Sequence, residues 1–420
     1  MTNYLKYNLK RNIPLYIITF VICLSVISIG FASAPTSFTY NVYSESGAEF
    51  AYYSRAFVGF DSGLITSFIP IAIFSTILPF FANGYRYSLR SADTFYQIGK
   101  NKKSIRYINN LIVLISFIAS FTISFVIGVI LLAVRQAPFI GKETEITRIN
   151  EYYYQVTEYV SYNFVYYLPV YFCLVIIAVL NYFISYFLIT RANNVINSII
   201  TLILGELILG VGLMTPFWLY EINALKFTDE YLIVNPVFLM GTRSVSVIGP
   251  YSFIFHLFNG LIVGEASSLA SQIDAMTNYD ILTLTLTIVS LVLFVSIGGL
   301  CIYYFLNEKE SSGELAGKPA PRDKFQIAIF HTGFALIGIW TANIQSAIYG
   351  ASLIFADVLA VVMILSSVAT FIAAYYVLYG LLRRNFKMNK KELAPFLSIS
   401  ISVFVIAIVL TIITFVVIYL

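Results

Sequence analysis

The chain has 420 residues, of which 59% are hydrophobic and only 11% are charged. A soluble domain carries about 25% charged residues, so a chain this apolar cannot cover its surface with polar groups in water. Lipid must therefore be its solvent, which excludes most functions of soluble proteins. The formal net charge is only +4, but the charges are distributed very unevenly along the chain.

Long apolar runs alternate with short charged segments from one end of the chain to the other. A helix needs about 20 apolar residues to cross the hydrocarbon core of a membrane. We therefore predict an all-α fold, a polytopic bundle of nine membrane-spanning helices. The predicted spans are 13–34, 63–85, 108–134, 164–190, 198–220, 281–306, 327–348, 352–382 and 395–420.

The stretch 231–263 is apolar as well, but it contains residues that interrupt a helix. Pro236, Gly241, Gly249 and Pro250 divide it into short pieces, and Arg243 adds a charge. Two short apolar pieces are more typical of a re-entrant or interfacial hairpin than of one span. We predict such a hairpin on the outer side of the membrane.

Most of the 25 basic residues fall in every second loop. Cytoplasmic loops are enriched in Lys and Arg, so the pattern predicts a cytoplasmic N-terminus and, with nine spans, an outer C-terminus. The outer segment before the fourth span is rich in tyrosine, which is typical of an aromatic belt at the headgroups or, alternatively, of a substrate-lining surface. Its tyrosines are Tyr152, Tyr153, Tyr154, Tyr159, Tyr162, Tyr166 and Tyr167.

The cytoplasmic loop at 86–107 has the pattern of a short helix with an apolar face. Ser91 and Asp93 can cap a helix, and Gly99 can end it. Such a helix could dock in a groove of a soluble partner, or the loop could simply hold the topology and touch anionic lipid. The candidate coupling residues are Asp93, Phe95, Tyr96, Ile98, Gly99, Lys102 and Arg106.

This loop resembles the first intracellular loop of ABC-2 type transporter permeases of Gram-positive bacteria. In that family a stretch of the form Asp-x-Phe/Tyr-x-x-Leu-Pro-x-x-Arg forms the coupling helix that sits on the ATPase subunit. The matching positions here are Asp93, Phe95, Ile98 and Lys102, and Gly99 stands where the family usually has proline.

A second cytoplasmic segment resembles the Ser-Glu-x-Ala-Gly-x-Pro stretch that follows the sixth span in a subset of these permeases. It matches at Glu314, Gly317 and Pro319, with Gly313 in place of the serine. A solvated loop ended by Pro319 and Pro321 explains the same residues by turn chemistry alone.

The resemblance implies an ABC-2-like domain over residues 1–310, with a short amphipathic helix at 1–11, the coupling loop 86–107 and the outer hairpin 231–263. A linker at 311–326 and a three-span extension at 327–420 follow. Whether Leu420 is the true C-terminus is left open.

By this resemblance the chain is the membrane subunit of an exporter in the bacterial cytoplasmic membrane, surrounded by membrane lipid. ABC ATPase subunits and a second permease, identical or different, would be its partners, and no nucleic acid is expected. The substrate could be a peptide, an antibiotic or a lipid. No phosphate-binding loop of the form G-x-x-x-x-G-K-[ST] is present in the sequence, so we expect no cofactor and no ATP hydrolysis on this chain.

Two acidic residues interrupt the apolar runs, Glu206 and Asp357. A carboxylate in hydrocarbon is costly, so each is a candidate functional group, although a polar contact between helices explains them equally well. The alternative function is a self-contained secondary transporter that uses Glu206 and Asp357 to bind ions. A third hypothesis, an intramembrane enzyme acting on lipid-linked sugars, lacks a supporting cluster of His, Asp and Arg.

Overall fold

The structure is a computed structural model, and most of the residues that it describes are helical. The described residues are 2–45, 48–52, 62–87, 102–142, 145–148, 153–160, 162–210, 281–308, 324–351, 357–383, 385–388 and 390–419. The helices are α1 (Thr2–Ser33), α2 (Ser62–Asn83), α3 (Lys102–Gln136), α4 (Tyr167–Thr190), α5 (Val195–Gly210), α6 (Ile281–Asn307), α7 (Lys324–Ala351), α8 (Asp357–Arg383) and α9 (Lys390–Tyr419).

Four apolar helical segments are long enough to cross a membrane, and they overlap the first four predicted spans. They are Lys6–Ser33, Ser62–Tyr87, Lys103–Phe139 and Phe164–Thr190. Shorter apolar helices follow at Val195–Gly210, Leu291–Asn307, Phe325–Trp340, Val368–Leu381 and Leu393–Ile406. The prediction of a mostly helical membrane protein is confirmed at this level, whereas the predicted hairpin at 231–263 lies outside the described residues.

The helices have an apolar exterior as well as an apolar interior. On α1, Cys23, Ile27 and Phe31 are fully buried at successive helical turns, while Ile22 and Ile29 on other faces are exposed. A helix that is apolar on every side is stable at a surface only if that surface meets other protein or lipid. The helix continues without interruption across the boundary between the predicted amphipathic helix and the first span.

The chain forms two compact units, each made of separate parts of the sequence. The first unit consists of Met1–Pro79, Arg106–Tyr182 and Pro250–Gly298. In its interior, the ring of Phe31 fills the space beside two glycines of neighbouring helices. A Cβ atom at Gly63 or at Gly128 would lie 2.3 Å from a ring carbon of Phe31. The two glycines therefore allow close packing of α2 and α3 against α1.

A four-stranded antiparallel sheet, which the all-α prediction does not include, completes the first unit. The strands are β1 (Ser37–Glu45), β2 (Ala48–Tyr52), β3 (Glu145–Arg148) and β4 (Tyr153–Tyr159), in the spatial order β2-β1-β4-β3. Strand β1 follows α1 and β4 precedes α4, and they pair with Ser37 opposite Tyr159 and Tyr43 opposite Tyr153. The two loops that the charge pattern assigns to one side of the membrane thus join in a single sheet.

The second unit consists of Phe80–Ile105, Phe183–Gly249 and Gly299–Leu420. Helix α7 contacts α5, where Gln326 Nε2 donates to Thr201 Oγ1 at 3.1 Å. It also packs against α8 and α9 through aromatic rings, with Phe334 stacked on Tyr375 at 4.7 Å and Tyr375 close to Phe396 at 4.8 Å. The helices of the predicted extension therefore share one unit with α5, and the predicted linker 311–326 lies mostly outside the described residues.

Candidate functional site

Several helix ends from distant parts of the chain meet within the second unit. They are the C-terminal ends of α2, α4 and α6 and the N-terminal ends of α5 and α7, and each adjoins a segment that the charge pattern assigns to the same side of the membrane. We call the polar side chains at these ends the basic-end cluster. Its members are Arg86, Tyr87, Tyr186, Arg191, Ser198 and Glu308.

The first part of the cluster lies in a turn that follows α2 directly. Helix α2 ends at Asn83, and the chain tightens into a 3₁₀ turn, Gly84–Tyr87. Such turns are common at the ends of α-helices, where they satisfy some of the last backbone groups. The ring of Phe80 stacks on that of Tyr87 at 5.4 Å, which holds the turn against the last residues of its own helix.

Arg86, Tyr186 and Glu308 form a closed polar network. Arg86 Nη1 donates to Glu308 Oε1 at 3.1 Å, and Arg86 Nη2 donates to Glu308 Oε2 at 3.4 Å and to the Tyr186 hydroxyl at 3.1 Å. The Tyr186 hydroxyl in turn donates to Glu308 Oε2. Bidentate pairs of this kind are stronger and more directional than single hydrogen bonds. The network therefore fixes the turn to α4 and to the end of α6.

Tyr87 forms a second attachment beside the first. Its hydroxyl lies 2.6 Å from Ser198 Oγ, in the first turn of α5, and donates to the carbonyl oxygen of Ile189 near the end of α4 at 3.3 Å. Tyr87 and Ser198 are both buried. Two consecutive residues, Arg86 and Tyr87, thus tie one short turn to three other helices.

Arg191 ties the connection between α4 and α5 to the same region. Its guanidinium lies over the rings of Phe187 at 4.4 Å, Tyr304 at 4.6 Å and Phe325 at 5.8 Å. Arginine stacks on aromatic faces through cation–π attraction, which strengthens as the site loses water. This contact brings the ends of α4 and α6 and the first turn of α7 to one side chain.

The side chains of the basic-end cluster are suited to holding the helix ends in position. The Arg86 guanidinium and the Glu308 carboxylate neutralise each other, and their side chains are 13% and 3% exposed. Within the part of the chain that the structure describes, no group of three His, Cys, Asp or Glu side chains could hold a metal ion. The arrangement can hold helix ends in register and can respond as a unit when one of them moves.

The coupling residues proposed from the sequence are only partly described. Asp93, Phe95, Tyr96, Ile98 and Gly99 lie outside the described residues, as do Glu314, Gly317 and Pro319 of the second segment. Lys102 is the first residue of α3, and nothing is described of its side chain.

Arg106 is described, and its side chain is buried with only 3% of the residue exposed. Its guanidinium lies 5.1 Å from the centre of the Tyr107 ring. Because it is buried, Arg106 is better placed to hold the start of α3 against the rest of the protein than to contact a soluble partner.

The two carboxylates that interrupt apolar runs of the sequence differ in what the structure shows. Glu206 lies in α5 and accepts a hydrogen bond from Ser185 Oγ of α4 at 2.6 Å. Next to it, a Cβ atom at Gly205 would lie 2.6 Å from Leu188, so the two helices approach closely here, as expected for a glycine at a helix interface. Asp357 is the first residue of α8, and its side chain is not among those described.

The tyrosine-rich segment contributes internal contacts to the first unit. Tyr162 is buried and donates to the carbonyl oxygen of Pro35 at 2.8 Å, and Tyr167 is buried against Phe31 at 5.6 Å. In the sheet, the hydrogen bond to Glu145 raises the pKa of the Tyr159 hydroxyl, because the carboxylate favours the protonated phenol. These tyrosines anchor β4 and the start of α4, and Tyr152 lies outside the described residues.

Tyr186 and Glu308 are not among the candidate residues that the sequence predicts, and Arg86 enters only as a basic residue at the start of the coupling loop 86–107. One signal could have found the pair. Glu308 follows the apolar run 281–306 directly, and Arg86 follows the run 63–85 directly. Opposite charges at two span ends on the same side of a membrane are natural partners, although the sequence does not show which ends are neighbours.

Comparison of the chain with family models, with curated proteins and with solved structures finds no match in any of the three.

Proposed function

We propose that this chain is the permease subunit of an ATP-driven ABC exporter, with nine spans, a cytoplasmic N-terminus and an outer re-entrant hairpin at 231–263. It would work with two ATPase subunits and a second permease in a bacterial cytoplasmic membrane. One observation carries the proposal. The turn Gly84–Tyr87, which leads directly into the coupling-helix-like segment, is bonded to α4, α5 and α6 through Arg86 and Tyr87.

This attachment is what a permease needs in order to use energy from a partner. The chain has no phosphate-binding loop, so work against a gradient requires energy from a separate subunit or from an ion. An ATPase that pushes on residues 88–101 would move the turn at 84–87. Because the turn is bonded to other helices, the displacement would reach their cytoplasmic ends as a rigid-body shift.

The arrangement of the loops supports the sidedness in this proposal. The two loops assigned to the outside pair in one sheet, and the helix ends assigned to the inside meet in the basic-end cluster. Loops on opposite sides of a membrane could not meet in these ways. The enrichment of Lys and Arg at the clustered ends then favours a cytoplasmic location for them.

The secondary-transporter alternative rests on Glu206 and Asp357. Glu206 already accepts a hydrogen bond from Ser185 of a neighbouring helix, which is the polar contact that a buried carboxylate needs. This observation favours a packing role for Glu206 and weakens the alternative, which still predicts that Glu206 is essential.

The proposal is tested by purifying the tagged chain in mild detergent and identifying the proteins that come with it. We expect a P-loop ATPase to be recovered with the native chain and to be lost with Phe95→Ala or Ile98→Asp, because both changes remove apolar surface from the segment proposed to dock. Ile140→Asp is the matched control, since Ile140 is 73% exposed and lies near the start of the segment between spans three and four that is assigned to the outside.

Two results would contradict the proposal. One is recovery of the native chain without any ATPase. The other is an ATPase whose binding and ATP hydrolysis are unaffected in both segment variants, when membrane insertion of all three variants is equal. The first result would favour the ion-coupled carrier. The second would contradict the assignment of the coupling helix.

A further inference from the structure

We propose that Glu308, held by Arg86 and Tyr186, is a positioning residue that makes the cytoplasmic end of α6 follow the turn at Gly84–Tyr87. This inference rests on the proposed function, and it names the connection through which movement of the coupling segment reaches α6.

The geometry makes Glu308 the centre of the connection. Both oxygens of its carboxylate are used, Oε1 by Arg86 Nη1 and Oε2 by Arg86 Nη2 and the Tyr186 hydroxyl. Arg86 and Tyr186 are also bonded directly to each other. Because the guanidinium is planar and meets the carboxylate with two nitrogens, it restricts rotation as well as distance. A shift of Arg86 must therefore rotate or displace the end of α6.

The position of the pair in the chain shows which two parts of the molecule this restraint connects. Arg86 lies one residue before the end of the turn and two residues before the undescribed segment 88–101, and Glu308 is the first residue after α6. The pair thus joins the start of the coupling segment to the end of a long apolar helix, across a sequence separation of 222 residues.

Helix packing alone does not explain why charges are used here. Apolar contacts already hold α4 and α6 together at this level, with Phe305 lying 5.0 Å from Phe183 and 4.9 Å from Tyr186. A buried ion pair is a poor way to stabilise such an interface, because desolvation offsets much of the attraction. What an ion pair adds is one defined register between its partners, which is the property that a mechanical connection requires.

The experiment measures whether α6 follows the turn. Spin labels are placed at Leu306→Cys on α6 and Leu397→Cys on α9, two exposed positions of the second unit, in a chain whose native cysteines are replaced by alanine. Distances between the labels are measured in lipid nanodiscs, for the chain with its co-purified ATPase, without nucleotide and with ATP and vanadate.

In the native background we expect a nucleotide-dependent shift of the distance distribution. In Glu308→Gln we expect that shift to be lost, while ATPase binding and ATP hydrolysis persist. Tyr186→Phe, which removes only the hydroxyl, should reduce the shift, and the exchange Arg86→Glu with Glu308→Arg should restore it if that chain folds. Tyr375→Phe is the matched control, because Tyr375 is also fully buried in the second unit and its hydroxyl bonds to His331.

The outcomes separate this inference from the proposed function. If no ATPase accompanies the chain, the proposed function fails and the inference fails with it. If the ATPase binds but the label distances in the native chain do not change with nucleotide, only the inference is overturned. The same holds if the label distances in Glu308→Gln and Tyr186→Phe change as they do in the native chain. Loss of the shift in Tyr375→Phe as well would show a general loosening of the fold and would also overturn it.

Discussion

Glu308 accepts hydrogen bonds from both terminal nitrogens of Arg86, at 3.1 and 3.4 Å, although 222 residues separate the two in the chain. The carboxylate also accepts a hydrogen bond from Tyr186. Burial makes each member of this network depend on the others, because a charge left without its partner in a dry environment is unstable. The stability of the second unit should therefore respond in a characteristic, non-additive way to changes in the pair.

We expect Glu308→Leu alone or Arg86→Met alone to lower the free energy of unfolding by about 3–5 kcal/mol, because each removes one partner of a buried ion pair. The double variant should be much closer to the native chain, since two apolar side chains can fill the same space. Unfolding in detergent micelles, followed by circular dichroism, measures all four chains. Equal and additive losses from the two changes would show that the pair is not coupled.

Glu206→Gln should be nearly silent if Glu206 serves as a packing contact. Glutamine keeps an oxygen at Oε1, so it can still accept the hydrogen bond that Ser185 donates at 2.6 Å. Ser185→Ala should cost more, about 1–3 kcal/mol, because it leaves a half-buried carboxylate without that donor. Ion flux into proteoliposomes, read with a pH-sensitive dye, tests the alternative. Flux that is present natively, lost in Glu206→Gln and retained in Phe95→Ala would favour the secondary transporter.

Gly128→Ala and Gly63→Ala should both destabilise the first unit, by about 1–3 kcal/mol each. The reason is that the new methyl group would lie 2.3 Å from a carbon of the Phe31 ring, which is fully buried and cannot move away freely. Gly299→Ala is the control, because this helical glycine of α6 has open space around it. Thermal unfolding in detergent compares the stabilities of the three variants with that of the native chain.

A smaller side chain at position 31 provides a check on that mechanism. Phe31→Leu combined with Gly128→Ala should recover part of the lost stability, since leucine occupies less of the space beside the glycine. If the combination is less stable than either single variant, the loss does not come from a collision between residues 31 and 128.

The register of the sheet can be tested by cross-linking. Thr39 and Thr157 lie opposite each other on β1 and β4, and residues directly opposite in an antiparallel pair lie at about the distance that a disulfide spans. Cysteines at both positions, in a chain without other cysteines, should form a disulfide under mild oxidation. It is detected on non-reducing gels after cleavage at a protease site placed between the two positions.

The control for this experiment moves one cysteine by a single residue. Glu158 neighbours Thr157 on β4 and lies opposite Phe38, not Thr39, in the register of β1 and β4. The pair Thr39→Cys with Glu158→Cys should therefore cross-link much less. Equal cross-linking of both pairs would mean that β1 and β4 do not have this register.

Hydropathy predicted the positions of several helices well and their ends less well. The predicted span 281–306 agrees with α6, Ile281–Asn307, within one residue. In contrast, α3 begins at Lys102, six residues before the predicted span at 108. The extra residues 102–107 include Lys103 and Arg106, which hydropathy counts as loop. A helix continues through such residues where their side chains find favourable contacts, as the Arg106 guanidinium does over the Tyr107 ring at 5.1 Å.

The sheet could not be predicted by the same reasoning. Its strands are short, and β1 and β4 are separated in the chain by two long helices. Alternation of polar and apolar residues over four to nine residues is a weak signal beside spans of more than twenty. The abundance of tyrosine before α4 drew attention to this segment, and the pairing partner on β1 was beyond what the local pattern contains.

The sequence by itself predicted a membrane protein, the positions of many of its helices and a distribution of its loops between two sides of the membrane. These properties follow from the length of apolar runs and the distribution of Lys and Arg, and both are local in the chain. Only the tertiary structure decided that Arg86 meets Glu308, that Glu206 meets Ser185 and that Phe31 lies against Gly63 and Gly128. Such pairs depend on which helices are neighbours and how each is rotated, and in a chain whose helices are apolar on nearly every side, hydropathy carries little information about rotation.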